Sequence, residues 1–363
     1  MDKTQRLQLI ETLSNANGAP GYEDEVTNLA LKWGGHFANA KRDPMGNVYL
    51  SHRGNDDKKP TLMVDAHLDA VGFVVQAVDD NGMIKFVPNG GWVPSNVAAQ
   101  KMRVRDKNGD YIPALVVSKP PHFMMAAEKK QPISIDHMRL DVGSTSREET
   151  LNDFGIQTGA PIVPDTTWSY NPKHDFMMGK AFDNRMGTAA AITSLAELAD
   201  TELPVNLVVA LSTQEEIGCR GARVTSRNVH PDIGICLEGC PADDTFTPAW
   251  LSQTKFRGGP MLRDQDTSFI ASHDFQAFVA QTADELKMPY TRAVRTGGGV
   301  DASEMLLETG APTVCIGIPV RYEHTNYALC AYPDFEKTVQ LVTNLIPKLT
   351  VDQLKKWYVA VSK

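Results

Sequence analysis

Short apolar runs that stop at an ionisable residue recur along this chain. Thr61-Leu62-Met63-Val64-Asp65-Ala66 stops at His67-Leu68-Asp69, and Val205 to Leu211 stops at Ser212-Thr213-Gln214-Glu215-Glu216. Asp232 to Leu237 stops at Glu238, and Pro312 to Ile318 leads to Arg321-Tyr322-Glu323-His324. Runs of this length read as strands buried on both faces. Between them the helical period takes over. Leu7, Ile10 and Leu13 share a face over residues 4–16, and Val26, Leu29, Ala30 and Trp33 follow from a start near Glu23. Met186, Ala190, Ile192, Leu195 and Leu198 line the inner face of a helix opened by Asp183-Asn184-Arg185. Phe275 to Leu286 and Asp334 to Leu349 complete the set, while Thr254 to Phe269 shows neither period and reads as irregular. The alternation predicts an α/β architecture, a sheet flanked by helices.

The texture changes after Gly72. Phe73–Val78 and Met83–Val87 flank a turn with Asn81-Gly82, and Met102–Arg105 and Tyr111–Val117 flank Lys107-Asn108-Gly109. Both are hairpin signals. Short strands continue through Met138–Val142, which predicts a small all-β domain inserted over residues 73–165. Residues 1–72 and 166–363 then form the main domain. The polar, Met-rich stretch Pro120–Pro132 within the insert reads as a mobile loop. Ser144-Thr145-Ser146, followed by Glu148 and Glu149, reads as a helix cap and not as a nucleophile.

A chain of 363 residues exceeds one typical core, in keeping with two domains. The net charge of −8 argues against a nucleic-acid partner, which needs a basic patch. An odd count of five cysteines points to reduced thiols and a cytoplasmic setting. The first residues lead into an amphipathic helix and not into a signal segment, and no apolar run approaches the roughly 20 residues of a membrane span.

The ionisable residues at the ends of the runs carry the chemistry. Strands of an open α/β sheet gather their sites at the carboxyl ends, so distant residues converge on one crevice. His67, Asp183, Glu216, Glu238 and His324 supply imidazoles and carboxylates, a donor set for zinc or cobalt, with manganese also suited. They suffice for two divalent ions: His67 and Glu238 on one, Glu216 and His324 on the other, with Asp183 bridging. Glu215, beside a ligand but free of one, then serves as general acid and base toward a water activated by both ions. Asp69 is placed to orient His67; the plainer reading of Asp69 is a turn cap, and that of Glu215-Glu216 is a solvated pair at a helix start. Gly297-Gly298-Gly299 lacks the surroundings of a phosphate loop and reads as a turn. The remaining histidines, His52 among them, read as surface or loop residues.

Taken together, the motifs resemble the glutamyl aminopeptidase family of cocatalytic metallopeptidases, which includes the tetrahedral aminopeptidases and some members with endoglucanase names. The resemblance rests on Gly18-Ala19-Pro20-Gly21-Tyr22-Glu23-Asp24-Glu25, Ala66-His67-Leu68-Asp69-Ala70-Val71-Gly72-Phe73, Asp141 to Glu149, and Ala181-Phe182-Asp183-Asn184-Arg185. It continues through Gln214 to Ala222, Gly297 to Ala302 and Arg321-Tyr322-Glu323-His324-Thr325, in order along nearly the whole chain. It implies a mixed sheet of the zinc-exopeptidase type and the same five ligands and general base. It also implies a homo-oligomer in which the β insert pairs dimers and twelve subunits form a shell. The activity implied is release of N-terminal residues from short peptides, with Asp301 and Arg321 as candidate substrate contacts.

This chain departs from the family pattern at Ala70, where Glu is usual, and at Asn184, where Asp is common. Glu238 stands where Asp is frequent, and Thr325 where Ser is usual. The rival readings are a deacylase or carboxypeptidase on the same ions, and a degenerate assembly or peptide-binding protein. A glucanase needs only two carboxylates and leaves the histidines without a task.

Overall fold

The computed structural model describes residues 1–128, 132 and 134–359. Its centre is an 11-stranded sheet. Four parallel strands lie side by side in the order Asn206–Ser212, Thr61–His67, Ile233–Pro241, Thr313–Arg321. They are the four apolar runs of the sequence. Antiparallel strands extend both flanks: Val48–Ser51 and Asn39–Arg42 on one side, Ala328–Ala331, Phe176–Gly179 and Ser169–Asn171 on the other. The sheet is therefore mixed.

Side chains alternate across a strand, and this alternation sorts the parallel strands into two faces. Leu62, Val64, Ala66, Val209, Leu211, Ile235, Leu237, Val314 and Ile316 join the larger core with helices Lys3–Asn15, Phe182–Leu198 and Tyr332–Leu345. Met63, Ala210, Cys236 and Cys315 face the other way, onto helix Ala302–Thr309. The Phe182–Leu198 helix is buried nearly all round, and its run Ala189-Ala190-Ala191 lets it lie close to the sheet.

The insert is a closed barrel of strands Gly72–Val78, Ile84–Asn89, Leu140–Asp141, Tyr111–Val116, Lys101–Arg105 and Pro161–Pro164, which pairs back to the first. Phe73, Val75, Phe86, Val104 and Ile162 fill a core separate from that of the main sheet.

Several expectations need correction. The stretch Thr254 to Phe269 holds a strand, Met261–Gln265, paired with Thr313–Arg321 and with Thr291–Val294. Arg263 breaks its apolar pattern, yet Arg263 is only 4% exposed because Asp266 lies 3.0 Å from its guanidinium. The C-terminal helix ends at Leu345; Pro347 stands in a 3₁₀ turn, and a further helix, Val351–Val359, follows. His52 lies in a loop as expected, directly after Val48–Ser51, but is buried there: its Nε2 meets the Leu198 carbonyl at 3.0 Å and its Nδ1 accepts from the Gly54 N–H. Of Pro120–Pro132, Pro121–Phe123 is a 3₁₀ turn, and residues 129–131 lie outside the described residues. Among the described residues no helix is long and apolar enough to cross a membrane.

Candidate metal centre

His67 is the last residue of its strand, and Glu215 and Glu216 lie in the turn after Asn206–Ser212. Glu238 sits inside the strand Ile233–Pro241 and not at its end, as the sequence suggested. It shares strand parity with Cys236, as His67 and Asp65 do with Met63, so these side chains leave the sheet on the face of helix Ala302–Thr309. Asp183 falls in the first turn of Phe182–Leu198, where φ −84° and ψ 106° depart from helical values. His324 lies beyond the end of Thr313–Arg321 with φ 55°.

The five side chains converge in two groups that share Asp183. His67, Asp183 and Glu238 each bring a ligand atom within 4.8 Å of the others, and so do Asp183, Glu216 and His324. Asp183 Oδ1 lies 3.1 Å from His67 Nε2, and its Oδ2 lies 3.2 Å from His324 Nε2. Glu238 Oε1 is 3.1 Å from His67 Nε2, and Glu216 Oε2 is 3.4 Å from His324 Nε2. Glu215 Oε2 stands further back, 3.8 Å from His67 Nε2.

Local chemistry holds this geometry. Asp69 is fully buried and accepts the backbone N–H of Glu215 at 2.9 Å and of Glu216 at 3.1 Å. Its Oδ1 also lies 3.4 Å from His67 Nδ1. It thus braces the imidazole and the turn bearing both glutamates at once. Asn184 uses its amide N–H toward the Leu237 carbonyl at 2.8 Å, while its oxygen accepts from Gly187 and Gly239, each at 2.9 Å. An aspartate has no proton to offer Leu237 at neutral pH, so the departure at position 184 suits its surroundings. Gly239 is needed for close approach: a Cβ there would stand 2.5 Å from the Phe182 carbonyl and 3.0 Å from Asp183 Cα.

Electrostatics explain what the donor set wants. Burial, reinforced by Asp183, drives the Glu216 carboxyl well above the carboxylate range. Burial does the same to Glu238. Glu215 is pushed up to about 7 by burial, with Asp183 and Asp69 adding to it against the pull of His67. Burial opposes charging of the imidazoles, yet the surrounding carboxylates outweigh it, raising His67 strongly and His324 to about 9. Asp183, between two imidazoles that outweigh its burial, is held far below its usual range. Buried carboxylates here draw protons onto both histidines, which is the response of a cluster suited to divalent cations. The residues therefore fit the implied metal.

A cavity of about 500 Å³ opens onto the cluster, lined by Glu215, Gly218, Arg263, Arg295, Gly297 to Gly299 and Glu323 among others. The two candidate substrate contacts have partners within the fold. Arg321 meets both oxygens of Asp244, at 3.0 and 2.6 Å. Asp301 is fully buried, and Ser212 Oγ lies between it and Asp65, 3.2 Å from Asp301 Oδ2 and 2.7 Å from Asp65 Oδ2. Sequence reasoning passed over Asp65, although an acid within an apolar run was a signal. It also passed over Cys219, whose thiol donates to Glu215 Oε1 at 3.3 Å.

A sheet covered by helices, with an aspartate shared between two His/Glu groups at its carboxyl end, is the frame of a metal-dependent hydrolase. The family model described as M42 glutamyl aminopeptidase matches residues 46–341. The glutamyl aminopeptidase of Lactococcus lactis is 30% identical over 97% of each chain. The TET aminopeptidase of a marine-sediment Thaumarchaeota archaeon superposes with a TM-score of 0.93 at 32% identity, over 97% of this chain and 99% of that one. The TET1 peptidase of Pyrococcus horikoshii has the same fold, with a TM-score of 0.85 at 24% identity over 95% of this chain and 100% of its own. The chain belongs to the M42 glutamyl aminopeptidase family. It is a metal-dependent aminopeptidase, a hydrolase of N-terminal peptide bonds.

Proposed function

We propose that the site takes two divalent cations, zinc or cobalt first and manganese as a further candidate, and cleaves the N-terminal residue from short peptides. His67 and Glu238 would hold one ion, Glu216 and His324 the other, and Asp183 both. The observation that carries this is the placement of the Asp183 oxygens, each facing a different imidazole. When bound, such a pair polarises the scissile carbonyl and makes water nucleophilic at neutral pH.

The chain's own residues do the rest. Glu215 borders both the cluster and the cavity, so it takes the proton of the attacking water and delivers it to the leaving amine. Cys219 and the Asp69 brace fix its carboxylate and its backbone, which limits the conformational freedom lost on the way to the transition state. The cavity receives the side chain of the first residue.

The assembly we propose is a homo-oligomer, with the barrel pairing dimers that build a dodecamer. The P. horikoshii TET1 peptidase is described as assembling into a tetrahedron or a large octahedral shell. Phe123 and Met125, within the insert, are 73% and 72% exposed, apolar surface suited to a subunit contact. The five cysteines are all buried and free, in keeping with a cytoplasmic location.

Metal analysis of one purified sample, with a panel of aminoacyl-anilides assayed before and after adding cobalt or zinc, tests the reading. Two ions per chain and metal-dependent release from free-amine substrates are expected. One ion at full activity would sink the two-ion assignment.

A further inference from the structure

The two halves of the metal cluster are not built alike. His67 and Glu238 belong to the parallel sheet, with side chains 1% and 5% exposed. The second ring nitrogen of His67 is braced within the main domain, by Asp69. His324 is different: it lies past the end of its strand and its side chain is 36% exposed. Its Nε2 faces Asp183 and Glu216, and the other side of its ring packs against Gly91, where an added Cβ would stand 3.1 Å from Nδ1 and 3.5 Å from Cε1. Gly91 belongs to the inserted barrel, two residues beyond the end of strand Ile84–Asn89.

Glu216 also reaches toward the insert. Its Oε1 accepts the backbone N–H of Val71 at 3.2 Å. Val71 ends the linker from the His67 strand to the first barrel strand. The loop after Asn89 is tied to that linker. Gly90 has φ +99°, and a Cβ there would stand 2.7 Å from Val71 Cγ1. Trp92 donates its indole N–H to the Gly72 carbonyl at 3.0 Å and stacks on Phe73 with ring centroids 4.7 Å apart. A side chain at position 91 would therefore press on the His324 imidazole and shift its tilt by a few tenths of an ångström.

We infer that Gly91 and Trp92 are positioning residues for the second cation site alone: the barrel completes the Asp183–Glu216–His324 group, and the main domain completes the other by itself. The close approach of Gly91 sets the tilt of the His324 ring, and Trp92 fixes the loop that presents it. Partners of a ligand's far nitrogen are worth roughly 10–100-fold in metal affinity. The inference rests on the two-ion reading.

The test is titration of apo-protein with Co²⁺ or Zn²⁺ by calorimetry, with bound metal counted after gel filtration. Wild type should show two binding steps; a single step would overturn the two-ion reading itself. His324→Ala identifies the step that belongs to the second site. Gly91→Ala, and Trp92→Phe, which keeps the stacking ring and loses the N–H, should leave the first step within about two-fold and weaken the second by roughly 10–100-fold. If both variants bind the second ion as wild type does, or lose both ions together, the inference fails while the two-ion reading stands. Trp92→Phe, the milder change, decides the matter if Gly91→Ala does not fold.

Discussion

At the scale of single residues, the tasks proposed for Glu215 and Asp183 can be separated. Glu215→Gln keeps the shape and the metal, so metal content should stay at the wild-type level while kcat falls by roughly 10²–10⁴. Full activity in that variant would remove Glu215 from the acid–base role. Asp183→Ala should instead lose bound metal, since both groups draw on its oxygens. A third residue, away from the site, sets a pH response. Asp334 is fully buried and accepts the N–H groups of Arg257 and Gly259. Burial outweighs those bonds and the nearby Lys337 and Arg257 charges, raising its carboxyl from 3.8 to about 6. The folded state therefore holds this proton more tightly than the unfolded one. The stabilisation is complete below about pH 4 and is lost as pH rises through 6. Asp334→Asn has no such proton, so its Tm relative to wild type should climb between pH 4 and 6. A difference in Tm that is flat over this range would show that Asp334 titrates normally.

At the scale of elements, the site depends on how closely the Ile233–Pro241 strand approaches the start of helix Phe182–Leu198. Gly239 has no side chain to keep them apart, and Asn184 hydrogen-bonds across the gap to Leu237 and Gly239. Gly239→Ala should push Glu238 and Asp183 apart and lower affinity for the first ion, read as a shift in the metal titration, while the distant barrel stays folded. Asn184→Asp puts an unpaired charge against the Leu237 carbonyl. It should cost roughly 1–3 kcal/mol in urea unfolding, because a buried acceptor is left without its donor. On the outer face Arg223 meets Glu304 at 2.8 Å and Arg227 meets Glu308 at 2.7 Å, joining helices Arg220–Val229 and Ala302–Thr309. Both arginines are more than half exposed, so these pairs set register more than stability.

For the whole molecule, the concentration of buried carboxylates should make stability respond to metal. Asp183, Glu215, Glu216 and Glu238 crowd one region with His67 and His324 as the adjoining cations, while Arg185 stands behind them, 1% exposed. Cations that bind only the folded state stabilise it by mass action, about 4 kcal/mol at a thousand times Kd. Chelation should lower Tm, and zinc or cobalt should restore it; a Tm indifferent to both would argue against a buried metal cluster. Light scattering on the purified protein checks the assembly, with a dodecamer expected and a monomer in dilute solution counting against it.

The periodicities were enough for much of this molecule. Four apolar runs are the four parallel strands, because a strand covered on both faces needs nothing but apolar side chains. The Asn-Gly and Lys-Asn-Gly turns announced the barrel hairpins, because few residues tolerate the backbone those turns impose. The strand Met261–Gln265 was hidden, since a buried arginine looks polar until its aspartate partner is located. Edge strands such as Ser169–Asn171 were hidden too, because a short strand draws its identity from its neighbour. The ionisable residues at strand ends were legible one at a time. Their convergence was a matter of topology: three crossovers between the four parallel strands bring residues from 67 to 324 to the carboxyl end of one sheet, and only the folded chain measures the distances between them. Least legible was the reach of the insert. Nothing local in Asn89-Gly90-Gly91-Trp92 points to an imidazole more than two hundred positions away, and backbone contacts of that kind leave no pattern in side-chain chemistry.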